Sequence, residues 1–342
     1  MNNISSNAEQ ALGDTDDLVG RVIDDLAVVE LLGVGASGTV YKAIEKGPTS
    51  RMVAIKLMNR AEQKLREDLG EQGNPFEREL KVAKVIDSPS VARVHRVGQT
   101  VDGRYFLVME LVEGEPLATE LTYRGKLPWK EALSLMVDIG KAVSAFHQLN
   151  IIHRDVSPGN VLIKTHRDGR RRVKLIDFGI AMLGHESDKE GTFLFDMALG
   201  TPQYMAPEQA IGKGSTRRSD VFSLGAIFYH MLTGTSVLSL KRATAHACME
   251  YLRDGKAIPS IPLAKLVAED VPPALVRMIE RSISVDSEKR PSDADAFVKE
   301  CERFKSSDSH ASPQSNREKL GKMVGSLFRR KQAPKSRFSR RD

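Results

Sequence analysis

From Leu26 the chain changes from polar, aperiodic residues to short apolar runs broken by glycine. Val28-Val29-Glu30-Leu31-Leu32 predicts a strand, Gly33 to Gly38 a turn, and Val40-Tyr41-Lys42-Ala43-Ile44 a return strand. Arg51 to Leu57 predicts the next strand. The spacing of Phe76, Leu80 and Ala83, with Val82, predicts a helix from about Pro75 to Ile86, with Pro75 suited to its first turn. Val91 to Gln99 and Tyr105 to Leu111 predict two more strands around the turn Val101-Asp102-Gly103-Arg104.

Gly114-Glu115-Pro116 ends the strand pattern, and helices dominate beyond it. A long amphipathic helix is expected from about Trp129 to Gln148, with Leu133, Met136, Val137, Gly140 and Val143-Ser144 on one side. Further helices are expected at Asp220 to Leu232 and at about Ala243 to Arg253, Pro273 to Ile283 and Ser292 to Phe304. Between them, Met182 to Leu199 shows no clear period, and a loop this long in a compact domain is usually functional or disordered. The pattern describes a small β-rich lobe hinged to a larger helical one, an α+β architecture. Residues 1 to about 24 read as a loose arm.

With 342 residues, 41% hydrophobic and 28% charged, the chain can bury a sizeable core. Its two cysteines, Cys248 and Cys301, form no CxxC pair and sit near no histidine at ligand spacing. That fits a reducing cytoplasm. No apolar run is long enough to span a bilayer, and Met1 to Asp17 lacks the basic-then-apolar order of a signal peptide. The net charge of +6 suggests nucleic acid until it is located: from Ser306 onward ten Lys/Arg stand against three Asp/Glu. The body is close to neutral, so no nucleic-acid partner is expected.

Candidate chemistry lies in four places. Gly33-Val34-Gly35-Ala36-Ser37-Gly38 lets backbone N–H groups close over phosphate oxygens. Alone it is a weak signal, compatible with a dinucleotide fingerprint or an ordinary turn. The strand-like segment that follows argues for a hairpin lid, because the dinucleotide motif needs a helix there. Val53-Ala54-Ile55-Lys56 places one lysine among apolar neighbours, and Glu79 falls beside the helix stripe, where it could point toward Lys56 or into solvent. His153-Arg154-Asp155-Val156-Ser157-Pro158-Gly159-Asn160 combines a proton-accepting acid with an amide that could hold a metal. Val173-Lys174-Leu175-Ile176-Asp177-Phe178-Gly179 is a buried-strand pattern ending in an acid and a glycine.

With Gly200-Thr201-Pro202-Gln203-Tyr204-Met205-Ala206-Pro207-Glu208 added, the set resembles the protein-kinase catalytic domain, and most closely the bacterial eukaryotic-like Ser/Thr kinases. The resemblance covers about 26–304, with an N-lobe to about 112 and a C-lobe from about 113, leaving an arm at 1–25 and a mobile tail at 305–342. It implies ATP and Mg²⁺. Gly33, Gly35 and Gly38 would cover the phosphates, and Lys56, held by Glu79, would reach them. Asp177 and Asn160 would hold metal, and Asp155 would take the proton of the substrate hydroxyl. Val40, Ala54 and Leu162 would wall the adenine slot, with Met109 as gatekeeper and the backbone of Glu110 and Val112 on the adenine edge. Glu208 with Arg290 resembles a buried ion pair that props the substrate loop, and Asp220 a brace of the catalytic loop.

One residue departs from the pattern. Most Ser/Thr kinases carry lysine two residues after the catalytic acid, and this chain has Ser157. A hydroxyl does not replace that charge, which can be worth about 3 kcal/mol in the transition state. Either another cation substitutes, the enzyme is slower, or the chain is a pseudokinase scaffold. After the scaffold, the second rival function is a small-molecule kinase of similar fold, against which the Gly200–Glu208 platform speaks. The resemblance further implies that Arg154 reads a phosphate on the activation loop, with Thr192 and then Ser187 as candidate sites and self-association as the route to modify them. Thr201 is expected to contact Asp155. In the tail, Leu320, Met323, Val324, Leu327 and Phe328 recur at helical spacing among basic residues, a pattern compatible with an anionic membrane surface or a partner groove.

Overall fold

In a computed structural model, the chain divides into two compact units, Met1–Cys301 and Glu302–Asp342. The structure describes residues 18–35, 38–60, 63, 64, 67, 74, 76–177, 182, 183, 202–211, 213–237, 266 and 270–307. In the first unit, strands β1 (Val22–Ile23), β2 (Leu26–Val34), β3 (Gly38–Glu45), β4 (Arg51–Met58), β5 (Val94–Gln99) and β6 (Tyr105–Glu110) form one antiparallel sheet, ordered β1-β2-β3-β4-β6-β5. Helix α1 (Phe76–Val85) follows β4 in sequence, with Asn74 accepting the Phe76 N–H at its start.

Period-two alternation sorts the sheet into two faces. On one, Tyr41, Ala43, Val53, Ile55, Leu57, Phe106 and Val108 bury against Leu18, Ile23, Leu26 and Val28. On the other, Ala54, Met58, Phe76, Leu107 and Met109 pack with Val40, Val94 and Leu111. Strand β4 is therefore buried on both sides, which is why its pattern is continuous rather than alternating. Lys56 lies on the second face.

Residues 18–24 depart from the expected loose arm. Leu18 and Ile23 are buried, and β1 adds to the sheet edge by pairing with β2. Arg96 on β5 fastens the turn by bonding Asp24 at 3.0 Å, Asp25, and Glu45 at 3.3 Å. Val91, read as the start of a strand, instead forms an isolated parallel bridge with Leu175, and Ala92 N–H donates to the Leu175 carbonyl at 2.9 Å. This joins the sheet lobe to the strand that precedes Asp177.

The larger lobe is helical. After β7 (Glu115–Pro116) come α2 (Leu117–Arg124) and α3 (Trp129–Gln148); β8 (Ile151–Ile152), β9 (Val161–Thr165), β10 (Arg171–Leu175) and β11 (Met182–Leu183) follow. Strands β10, β9 and β7 form one small sheet, and β11 pairs with β8, so Met182–Leu183 opens as a short strand where the sequence predicted only loop. Helices α4 (Pro207–Ala210), α5 (Arg217–Thr233), α6 (Pro273–Ser282) and α7 (Ala294–Ser307) complete the described structure.

Helix α3 has the expected bounds but is buried on most of its circumference, Leu135, Ile139, Ala142 and Phe146 included, and is a central core helix rather than a surface amphipathic one. Helix α5 starts three residues before the expected Asp220, because Thr216 and Ser219 cap each other's backbone N–H groups. The helix expected at about Ala243 to Arg253 lies outside the described residues.

Candidate active site

Strand register assembles the sheet side of the cleft. In the ladders Val40 faces Lys56, Ala54 faces Met109 and Lys56 faces Leu107, so these five positions share one surface. The glycine segment closes tightly: Gly35 N–H donates to the Gly38 carbonyl at 2.9 Å, and the Asn59 amide donates to the Gly35 carbonyl at 3.2 Å. Gly38 must lack a side chain, since a Cβ there would stand 2.4 Å from the Leu57 carbonyl oxygen.

The Lys56 side chain is 5% exposed and crosses the cleft to Asp177, with Nζ to Oδ2 at 2.7 Å. The Phe76 ring lies 5.8 Å from the same ammonium. Glu79 is on helix α1, but its side chain lies outside the described residues, as do Phe178, Gly179, Ser187, Thr192 and Thr201. Asp177 takes a left-handed backbone (φ 60°), and so does Arg154 (φ 72°). Such conformations cost about 1–3 kcal/mol for residues other than glycine and concentrate at functional sites.

On the helical side, Asn160 Nδ2 donates to Asp155 Oδ2 at 2.8 Å and to the Asp155 carbonyl at 3.0 Å. The Ile176 N–H donates to the Asn160 carbonyl at 2.8 Å, and this bond locks the segment carrying Asp155 to the segment carrying Asp177. Ser157 is extended (φ −142°, ψ 160°), as a residue before proline should be, and is 2% exposed.

A buried acid holds this loop from below. Asp220, 0% exposed, accepts the backbone N–H groups of His153 (Oδ2, 2.8 Å) and Arg154 (Oδ1, 2.8 Å) and lies 2.9 Å from His147 Nε2. His147 Nδ1 accepts the Ala294 N–H at 3.1 Å, which leaves Nε2 as the protonated nitrogen that donates to Asp220. Burial pushes the Asp220 carboxyl up, but the hydrogen bonds from His147 and the His153 N–H outweigh it and hold it below its ordinary value. Burial pushes His153 down from 6.5. His147 was not among the candidates read from the sequence. A histidine at the end of an apolar helix reads as core, and its partner is 73 residues away.

The segment around α4 is held in the same manner. Arg290, whose side chain is 0% exposed, bonds Glu208 through both terminal nitrogens at 2.6 and 2.8 Å, and Ser219 Oγ donates to Glu208 at 2.7 Å. Burial raises the Glu208 pKa, and Arg290 reverses this to a net lowering. Gln209 donates to the Arg154 carbonyl at 3.1 Å, tying α4 to the catalytic segment.

At the junction of the lobes, Met109 is buried and Leu162 half-buried, while the Glu110 carboxylate pairs with Lys174 on β10. Gly114 lets the chain pass β9, since a Cβ there would stand 2.9 Å from the Ile163 carbonyl oxygen. Val112 lies between them in the connecting segment.

A sheet-borne lysine, two acids and an amide thus converge between two lobes, under a glycine turn. The sequence model of the protein kinase domain matches residues 26–301. The chain belongs to the protein kinase family. It is similar to serine/threonine-protein kinase pkn3 of Myxococcus xanthus, 31% identical over 84% of this chain and 51% of that protein. It is also similar to PknA of Mycobacterium tuberculosis, 34% identical over 73% of this chain and 54% of that protein, and to PrkC of Bacillus subtilis, 32% identical over 79% and 39%. The chain spans about half or less of the length of these kinases. Among the described residues, no helix is long and apolar enough to cross a membrane.

Proposed function

We infer that the chain is an ATP-dependent serine/threonine protein kinase. The observation that carries this reading is the joined set of contacts Lys56–Asp177, Asp155–Asn160 and Ile176–Asn160. Phosphoryl transfer has a loose transition state with charge on the equatorial oxygens, so positioning and charge stabilisation are what the site must supply. Val40, Ala54, Met109 and Leu162, with the backbone of Glu110 and Val112, hold the adenine. Gly33, Gly35 and Gly38 cover the phosphates, and Lys56 orients them. The acceptor hydroxyl oxygen attacks the γ-phosphorus as the bond to the β–γ bridging oxygen breaks and ADP leaves. Asp155 orients that hydroxyl and takes its proton.

The donor set fits magnesium. Asp177 offers a carboxylate, and Asn160, whose Nδ2 is committed to Asp155, offers its amide oxygen. Two hard oxygen donors suit an ion that keeps several waters and completes its shell on phosphate. Bound Mg²⁺ would neutralise charge on the transferring group.

Incubation with ATP and Mg²⁺ tests this reading. Asp177→Asn and Asp155→Asn should each cut phosphate incorporation by at least about a hundredfold, the usual scale of a lost acid–base or electrostatic group. Site mapping of the wild-type product should find phosphate on Thr192 or Ser187, with Arg154 as its reader. Equal incorporation by wild type and Asp177→Asn would end the kinase reading.

Ser157 favours a second reading, a pseudokinase that binds nucleotide or a partner without efficient transfer. Ser157→Lys discriminates the two. If the serine merely slows a working enzyme, the lysine should raise kcat roughly tenfold, part of the ~3 kcal/mol such a cation can supply. A wild type with no transfer at all would establish the scaffold.

A further inference from the structure

Strands β9 and β10, which carry Leu162 and lead to Asp177, run outward into the hairpin Lys164-Thr165-His166-Arg167-Asp168-Gly169-Arg170-Arg171-Arg172. It holds five Lys or Arg residues and one Asp, and every residue except Arg171 is exposed. Some of this charge is matched. Lys164 pairs with Glu113 at 2.7 Å, Arg170 with Asp168 at 2.6 Å, and Arg171 with Glu120 and Glu131. Among the described residues, no carboxylate pairs with Arg167 or Arg172.

The turn itself does not call for Arg167 or Arg172. The turn is made by backbone bonds, His166 N–H to the Arg170 carbonyl and Gly169 N–H to the His166 carbonyl, with Gly169 at φ 78°. Arg172 stands directly across the ladder from Lys164, and like charges in that position destabilise a sheet. Arg167 and Arg172 thus present outward charge that no carboxylate among the described residues matches, and a ligand would account for it.

Beside the hairpin is a cavity of about 310 Å³ lined by Ile163, Thr165, Tyr123, Glu115 and a charged cluster in which Arg124 and Arg171 pair with Glu120 and Glu131. Tyr123 is 62% exposed, with its hydroxyl donating to Glu115 at 2.9 Å. We propose that the β9–β10 hairpin and this cavity dock an acidic segment of a protein partner. Its carboxylates meet Arg167 and Arg172, and an apolar side chain enters beside Tyr123 and Ile163. A nucleic-acid backbone or an anionic lipid sheet presents continuous negative charge, which Glu115, paired with no cation among the described residues, opposes. A peptide can alternate charge with apolar groups and avoid it.

The surface is tested without ATP, so its failure leaves the kinase reading standing. Fluorescence anisotropy of the full chain would use a fluorescein-labelled peptide alternating glutamate and alanine around one phenylalanine. Arg167→Glu/Arg172→Glu should bind it roughly tenfold or more weakly. The basic tail is present in both proteins and cancels from the comparison. The thermal midpoint should hold or rise, because Glu at 172 would face Lys164. Tyr123→Ala should weaken binding of this peptide but not of one lacking the phenylalanine.

Equal affinity in wild type and the double variant would overturn the proposal, as would a lowered midpoint or equal effects of Tyr123→Ala on both peptides. Single-stranded DNA and phosphatidylglycerol vesicles provide the remaining arms. A larger loss of binding to either than to the peptide would reassign the surface to that ligand class and also overturn it.

Discussion

On the sheet side of the cleft, Val40, Ala54, Lys56 and Met109 are placed by ladder register. On the helical side, Asp155 and Asn160 are placed by side chains reaching in from α3, α4 and α5. Register is distributed: each ladder bond contributes a little, and sliding the strand by one residue would turn a whole apolar set outward. The polar brace is concentrated. A single carboxylate, Asp220, satisfies three buried donors at once. One side should therefore resist single substitutions that do not touch backbone spacing, while the other should fail at one atom.

The sharpest break is Asp220→Ala. It orphans the His153 and Arg154 N–H groups and the His147 ring N–H, each at a cost of about 1–3 kcal/mol when buried. Urea unfolding should show a loss of about 3–5 kcal/mol, within the range for uncompensated buried polar groups. The surviving folded fraction should have lost its ability to position Asp155. Asp220→Asn, which keeps an acceptor oxygen, should lose less. Equal, small losses for both would mean that the loop holds its shape without the brace.

The same contrast explains what was legible in the sequence. Alternation and turns gave β2 to β6 within a few residues, because a strand's pattern is local and its period is two. The order of Lys56, Asp155, Asn160 and Asp177 gave the family. The brace was only half visible, since Asp220 and the Glu208–Arg290 pair came from the resemblance while His147 was passed over as core. Burial of Leu18 and Ile23 was hidden because it depends on Arg96, more than 70 residues away, closing on Asp24 and Asp25. The apolar face of α3 was read too narrowly because a helix packed on several sides needs no polar stripe. The early start of α5 does carry a sequence signal, Thr216 three residues before Ser219, which the expectation of a helix from Asp220 does not use.

A test of the distributed side must change backbone spacing rather than delete a contact. Gly38→Ala does so, because the new Cβ meets the Leu57 carbonyl and β3 must move from β4. The expected loss is about 1–3 kcal/mol, the range for overpacking. The KM for ATP should rise with the displaced glycine turn while kcat changes less, because Asp155 and Asn160 are held from elsewhere. A fall in kcat with unchanged KM would show that the two sides are coupled more tightly than their contacts suggest.

The smallest effect separates the sides by pH. Burial lowers the pKa of His153 and of His230, whose Nδ1 lies 2.7 Å from the Tyr204 hydroxyl, and both belong to the helical side. His95 on the sheet is also lowered, with burial again the main cause. In each case the unfolded chain binds its proton near 6.5 while the folded chain still excludes it. Stability therefore falls as pH drops through 6.5 toward the folded pKa and levels off below it. Asp220 and Glu208 act oppositely placed on the scale: their lowered pKa values contribute stability above the carboxylate range, lost only as pH falls through the folded values. Between about pH 7.5 and about pH 5.5 the histidines should dominate, and the urea midpoint should decline, most through the fully buried His153 and least through the partly exposed His95. His230→Asn, which keeps an acceptor toward Tyr204 but does not titrate, should flatten part of that slope. A midpoint that holds or rises on acidification would mean that the buried imidazoles find proton acceptors as the fold relaxes, and that the helical side is less rigid than its hydrogen bonds imply.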